Sequence, residues 1–377
     1  MKSCKVVVIG GLHHNTLGVI RSLGENQLLT IDMDVLIVGE NLPAKNMISV
    51  SRYVKKVHYV CSDADIVRWL LELSRDANIR TIICCSDGSA EVVMQNKVLL
   101  EKYYKIPSVK LNIEALMEKS TQDIIAEKCG LHTPDSQVYT STEDINWEVF
   151  PCIIKPLKSA TGAGKSDIHI SNDKKTLQKA MLDIKAPKVQ IQQYIIKKME
   201  FQLIGCSLDA GEIIIIPGYT DLIRQPKNTN TGYLEYVPIS ELNVDMLAVQ
   251  EFIKTIGYSG LFSVEFIRGV DGNDYFLEIN MRNDGNAYCV QSAGVNLPLI
   301  WCYYQNFGEL PNVPLSFSKS IKFIPDLNDL KVSLGQVGII TWIRDFLGAD
   351  SHSVYNKRDL MPFVYELMRP LKNILHI

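Results

Sequence analysis

Glu265, Glu278, Asn280 and Arg282 sit in two apolar stretches separated by a turn, Gly260-Leu-Phe-Ser-Val-Glu-Phe-Ile-Arg-Gly269 and Asp274-Tyr-Phe-Leu-Glu-Ile-Asn-Met-Arg282. Between them, Asp271-Gly272 is a two-residue hairpin signal, because a type I′ turn needs positive φ at both central positions. With that pair as the loop, Val270 faces Asn273, and counting outward sets Glu265 opposite Glu278. Side chains alternate along a strand, so Glu278, Asn280 and Arg282 share one face, with Ser263 and Glu265 across from them. Like charges directly opposed across strands destabilise the pair. A chain that keeps them points to a cation between them, and two carboxylates with an amide oxygen suit a hard divalent ion such as Mg²⁺. The competing reading is a solvated charged face, and a longer loop around Val270 to Asn273 would shift the register.

The elements that must position these groups follow from the preceding sequence. In the first hundred residues, apolar runs (Lys5-Val-Val-Val-Ile9, Val35-Leu-Ile-Val38, Val57-His-Tyr-Val60, Thr81-Ile-Ile-Cys-Cys85) alternate with helical patterns near Leu17 to Leu23 and Ile66 to Ala77. Strands alternating with helices predict βαβ units and a parallel sheet. The Gly10-Gly11 turn does not complete the Gly-x-Gly-x-x-Gly fingerprint, since the next glycine is Gly18, so a nicotinamide site is not indicated. His13-His14 reads as a polar turn at the end of a strand.

From Pro107 the pattern changes. Ser120-Thr-Gln-Asp123 has the form of a helix cap, Gly130 a helix stop, and Lys119 stands just before the cap, where its charge adds to a helix amino terminus. Pro151-Cys-Ile-Ile-Lys155-Pro156 is a strand carrying a lysine among apolar residues, and lysine is rarely buried without a partner. The stretch from Lys158 to Ser166 imitates a P-loop. It has Ser159 where the first glycine belongs and leads into a strand, which leaves a glycine-rich hairpin whose amides could cover phosphates. Strands follow at Val189 to Ile195, Glu200 to Cys206 and Glu212 to Tyr219, then an amphipathic helix from Asp245 to Ile256 stopped by Gly257. Beyond Pro311 the pattern is mostly helical and aromatic and reads as a cover for the site.

Composition sets the outer bounds. The 377 residues suffice for two or three domains, and 46% hydrophobic with 21% charged residues is the balance of a globular protein. A net charge of −3 gives no electrostatic reason for a nucleic acid or anionic membrane partner. The nine cysteines include no Cys-x-x-Cys pair and read as small buried hydrophobes in a reducing cytoplasm. No apolar run approaches the roughly 18 residues of a membrane helix.

In this order, Lys119, the Ile-Ile-Lys155-Pro strand, the glycine-rich hairpin, Gln192-Gln-Tyr-Ile195, Glu200, Glu265 and Glu278-Ile-Asn-Met-Arg282 resemble the ATP-grasp superfamily, and within it the carbamoyl-phosphate-synthase-like carboxylate–amine ligases. Thr341-Trp-Ile-Arg-Asp345 and Lys357-Arg-Asp-Leu-Met-Pro362 are similar to D-aspartate ligase relatives. The resemblance implies an α/β pre-ATP-grasp domain over residues 1–110 and an α+β ATP-grasp domain over 111–310. Its small lid would span about 120–190 and its larger part 191–310, with a mostly helical segment, 311–377, packed on the core.

It further implies that Lys119 and Lys155 contact ATP phosphates, Lys155 also lying near the adenine. The loop with Ser159, Thr161, Gly162, Gly164 and Lys165 would close over the β- and γ-phosphates. Gln192, Gln193, Tyr194 and Ile195 would form the adenine hinge through backbone groups of Gln193 and Ile195, with Gln192 standing where many members carry an acid. Glu200 would hold the ribose, Glu265, Glu278 and Asn280 would ligate one or two Mg²⁺ or Mn²⁺ ions, and Arg282 would stabilise an acyl phosphate. Asp221, Arg224, Glu235 and Tyr236 lie where such enzymes often bind substrate. Arg224 is the expected partner of a substrate carboxylate, because its fork matches that group. The implied reaction joins a carboxylate to an amine through an acyl phosphate with release of ADP and phosphate, the substrate being an amino acid or a cell-envelope or natural-product precursor, in the cytoplasm, and related enzymes are often homodimers. A degenerate nucleotide-binding regulatory protein on the same core is the alternative.

Overall fold

The structure, a computed structural model, describes residues 2–140, 145–157, 168–225 and 232–375. A first sheet contains β1 (Lys2–Gly10), β2 (Leu29–Val38), β3 (Val57–Val60), β4 (Arg80–Cys84) and β5 (Tyr104–Lys105), all parallel, in the order β3-β2-β1-β4-β5. Val6 to Ile9 are fully buried, as expected of a strand covered on both faces. The strand order reverses between β1 and β4, and open parallel sheets place their binding crevice outside the carboxyl ends of strands at such a point. The residues delivered there are His13 to Asn15, leading into the helix His14–Gly24, and Ser86-Asp87, leading into the helix Asp87–Gln95.

A small antiparallel sheet, β6 (Ser136–Thr140), β7 (Cys152–Pro156), β8 (His169–Ser171) and β9 (Lys188–Gln193), runs in the order β6-β9-β7-β8. It packs its helix, Lys174–Asp183, over a core of its own that includes Trp147, Ile154, Leu177, Met181 and Ile191. A subdomain with a separate core can move without exposing the main one.

The largest sheet joins β10 (Lys197–Leu208), β11 (Ile213–Arg224), β12 (Tyr233–Pro238), β13 (Gly260–Gly269), β14 (Asp274–Asn280), β15 (Ile321–Ile324) and β16 (Ser351–His352) in the order β14-β13-β10-β11-β12-β15-β16. The carboxy-terminal segment is therefore more than a helical cover, since it contributes two strands to this sheet beside the helices Asp326–Gln336, Ile339–Gly348 and Met361–Leu375. Val6, Val8 and Leu17 of the first domain share one hydrophobic cluster with Leu261, Trp301 and Phe323. Arg21, on the first helix, is ion-paired at 3.0 Å with Asp359, both side chains essentially fully buried.

Glu265 faces Glu278 as expected, but by a different route. The loop is three residues, closed by the Gly269 N–H to Asn273 O bond at 2.9 Å, with Gly272 at φ 88°. That is the turn followed by a left-handed residue that three-residue hairpins use. It pairs Arg268 with Asp274 and Phe266 with Phe276, one residue out of the expected register. A bulge at Leu277 restores the register, so that Glu265 pairs with Glu278 and Ser263 with Asn280. A second correction concerns the helix Lys119–Lys128. It begins at Lys119 after Glu118, with no side-chain cap from Ser120, and Asp123 is buried against Gln190 instead.

Candidate active site

Glu265 is 9% exposed, and its Oε1 accepts hydrogen bonds from Asn280 Nδ2 at 2.9 Å and Gln202 Nε2 at 3.0 Å. Burial, reinforced by the nearby charge of Asp284, raises its pKa above the usual carboxylate value. Across the ladder, Glu278 is ion-paired with Lys119, both side chains mostly buried. Having given its nitrogen to Glu265, Asn280 accepts from Arg282 Nη2 at 3.0 Å. Arg282 also donates to Asp87 at 3.1 Å and to Asp284 at 3.0 Å. Burial alone would lower its pKa, but Asp87 and Asp284 outweigh that and hold the guanidinium charged. Asp284 is itself fixed by the Ser263 hydroxyl at 2.9 Å and the Asn286 N–H at 2.8 Å.

The cluster thus sets four carboxylates, Glu265, Glu278, Asp284 and Asp87, against two cations, Lys119 and Arg282. Among the described residues no three His, Cys, Asp or Glu side chains converge as a self-sufficient metal cage. Two carboxylates and the Asn280 amide oxygen, which accepts from Arg282, have the donor chemistry of a partial Mg²⁺ set of the kind that substrate phosphates complete. The surplus of negative charge fits a divalent ion there.

Facing this strand, Lys155 donates to Gln192 Oε1 at 2.8 Å. Burial, with the neighbouring Lys119 charge, pulls its pKa down to about 7. Gln192 Nε2 is buried without a partner, so a neutral amide stands where an acid would have held Lys155 charged. At the hinge, the Gln193 N–H is committed to Asp135 O at 2.8 Å and the Tyr194 N–H to Pro151 O at 3.0 Å. The Gln193 N–H, expected to meet the base, is thus already engaged within the fold. Glu200 lies on β10, ion-paired with Lys197 at 2.7 Å, two residues before Gln202. Ser159, Thr161, Gly162, Gly164 and Lys165 lie outside the described residues.

Arg224 is a correction. Its Nε and Nη2 grip both oxygens of Asp329, at 3.1 and 2.6 Å, and its Nη1 donates to Asp345 at 2.9 Å. The fork expected to take a substrate carboxylate is filled by the helices Asp326–Gln336 and Ile339–Gly348. Tyr236 is likewise a core residue, fully buried and stacked on Phe317 at 4.9 Å.

Sequence reasoning missed Gln202, Asp87, Asp284 and the Asp123–Gln190 pair. Gln202 was recoverable, because period two places it on the same face as Glu200. Asp284, two residues past Arg282, carried a similar signal. Asp87 carried no local one, since only the tertiary fold brings it to Arg282.

A parallel α/β domain, a small antiparallel lid and a larger sheet bearing the Glu-x-Asn-x-Arg strand together define an ATP-grasp fold. Comparison with known proteins agrees. An N5-carboxyaminoimidazole ribonucleotide synthetase in its ADP complex superposes with a TM-score of 0.67 over 89% of this chain and 85% of that one, at 16% identity. Among curated sequences, a D-alanine–D-alanine ligase of Anaeromyxobacter dehalogenans is 28% identical over 178 residues, 44% of this chain and 56% of the relative. A formate-dependent phosphoribosylglycinamide formyltransferase of Flavobacterium psychrophilum is 23% identical over 184 residues, 47% of each chain. The chain spans about half the length of the curated relatives it matches. No family model matches the sequence, and among the described residues no helix is long and apolar enough to cross a membrane.

Proposed function

We propose that the protein is an ATP-dependent ligase that joins a small carboxylate to an amine through an acyl phosphate. The observation that carries this reading is the Glu265–Glu278–Asn280–Arg282 constellation facing Lys119 and Lys155 across the lid cleft. A carboxylate is a poor electrophile toward an amine. Its oxygen attacks the γ-phosphorus of ATP, the bond to the β-phosphate oxygen breaks, and ADP leaves. The amine nitrogen then attacks the acyl carbon, the C–O bond breaks, phosphate leaves, and the nitrogen gives up a proton.

Glu265, Glu278 and Asn280 would hold Mg²⁺, which when bound neutralises phosphate charge. Lys119 and Lys155 supply cations toward the phosphates, Lys119 after release from Glu278. Arg282, kept charged and immobile by Asp87 and Asp284, presents its remaining hydrogen-bonding capacity where acyl-phosphate charge develops. Gln202 fixes the orientation of Glu265. The Gln193 to Ile195 backbone would receive the base and Glu200 the ribose. Among relatives the amine partner is of two chemical kinds, phosphorylated ribosyl compounds and amino acids, and both are candidates here. The test is a Glu278→Gln variant assayed with Mg·ATP against carboxylate and amine pairs. It should bind ATP and lose turnover, whereas full turnover would overturn the assignment.

A further inference from the structure

Gln122 lies on the helix Lys119–Lys128, is 4% exposed, and meets β14, the edge strand that carries Glu278 and Asn280. Its Oε1 accepts from the Ile279 N–H at 2.9 Å. Its Nε2 donates to Leu116 O at 2.9 Å and toward Ile279 O at 3.4 Å. Two carbonyls on one side and an N–H on the other leave the amide a single orientation. One side chain thus meets both backbone groups of one residue, as a neighbouring strand would.

That residue stands between two of the metal-donor candidates. The Ile279 side chain is buried in the core, so alternation turns Glu278 and Asn280 together to the other face. The ladder to β13 supports the strand from one side only, and the bulge at Leu277 interrupts it immediately before Glu278. A bulge bends and twists its strand locally, which leaves the aim of the next side chain to be set by other contacts. The open side is fastened before the bulge by the Phe276 N–H, which donates to His132 O at 2.8 Å, and after it by Gln122. Lys119, on the same helix, acts on Glu278 through charge. Gln122 is neutral and reaches only the backbone, so it acts on the donors through geometry.

Building on the ligase reading, in which Glu278 and Asn280 hold Mg²⁺, we propose that Gln122 is a positioning residue that fixes the spacing of these two donors by gripping the backbone between them. Contacts of this kind behind metal donors typically carry roughly ten- to hundredfold in metal affinity. Methionine has a similar shape and no amide, so Gln122→Met frees the strand without changing the charge of the site.

The test titrates Mn²⁺, a paramagnetic stand-in for Mg²⁺, into the nucleotide-free protein and its variants by electron paramagnetic resonance. Gln122→Met should weaken Mn²⁺ binding about tenfold. It should also speed amide exchange over residues 277–280 and leave exchange in the first sheet unchanged. Gln122→Asn, whose amide is one methylene short of Ile279, should weaken binding in the same direction and serves if the methionine variant does not fold. Ala126→Gly loosens the same helix and removes no hydrogen bond to β14, so it should leave Mn²⁺ affinity unchanged. Lys119→Met should shift that affinity the opposite way, a pattern that a merely structural role for the helix would not produce. Mn²⁺ affinity lost in Glu278→Gln but kept in the folded Gln122 variants, or lost equally in Ala126→Gly, overturns the positioning role while the metal reading stands. Mn²⁺ affinity kept in Glu278→Gln overturns both.

Discussion

Lys119 and Glu278 form an ion pair that joins the start of the lid-side helix to the strand bearing the other acids. If Glu278 holds the metal as proposed, binding of Mg²⁺ and nucleotide would redirect Lys119 from Glu278 to phosphate. Lys119→Met should weaken ATP binding by removing a phosphate contact, yet strengthen Mg²⁺ binding measured without nucleotide, because the competing cation is gone. Isothermal titration of each ligand checks this. Weaker metal binding in that variant would show that Lys119 does not compete at this carboxylate.

With its pKa lowered to about 7, Lys155 should, through its proposed phosphate contact, make nucleotide affinity depend on pH. Below pH 7 the lysine is already charged and meets the phosphates without further cost. Above pH 7 it must take up a proton on binding, so ATP affinity should fall by roughly tenfold per unit. The linkage to folding has the matching sign. Between pH 7 and the ordinary lysine value the unfolded chain binds more protons, so this group's contribution to stability rises with pH across that window. Gln192→Glu supplies the missing negative charge, should raise the Lys155 pKa and should flatten the affinity profile. Kd values for ATP from pH 6 to 9 in both proteins decide it, and parallel profiles would contradict the account.

Arg224 should prove a strut rather than a substrate ligand. Asp329 is fully buried, and removing its partner leaves an uncompensated charge, a loss on the order of 3–5 kcal/mol. Arg224→Ala should therefore lower unfolding stability by that order in chemical denaturation, and Arg224→Ala with Asp329→Asn should recover part of it. A stable Arg224→Ala protein with a selectively raised carboxylate KM would restore the substrate role.

Much of the site was legible because strand chemistry is local. Glu265, Glu278 and Asn280 follow from period two and a turn signal, and their pairing survived a wrong loop length only because the Leu277 bulge cancels a one-residue error. Such a bulge leaves no mark in the residue types. The parallel first sheet was readable from its apolar runs, since strands buried on both faces carry no alternation to confuse. What failed was long-range pairing of charge. Arg224 looked free because Asp329 and Asp345 lie more than a hundred residues away. The two carboxy-terminal motifs that resembled a ligase subgroup contain Asp345 and Asp359, which in the fold anchor Arg224 and Arg21. The Ser120 cap failed because the helix starts at Lys119, and Asp123 is drawn to Gln190 at 2.6 Å instead.

The proposed attack of the carboxylate on the γ-phosphorus carries one carboxylate oxygen into the released phosphate. With a donor labelled with ¹⁸O in its carboxylate, the account predicts one labelled oxygen in the released inorganic phosphate for each amide formed, with ADP as co-product. Unlabelled phosphate, or release of AMP and pyrophosphate, would contradict it.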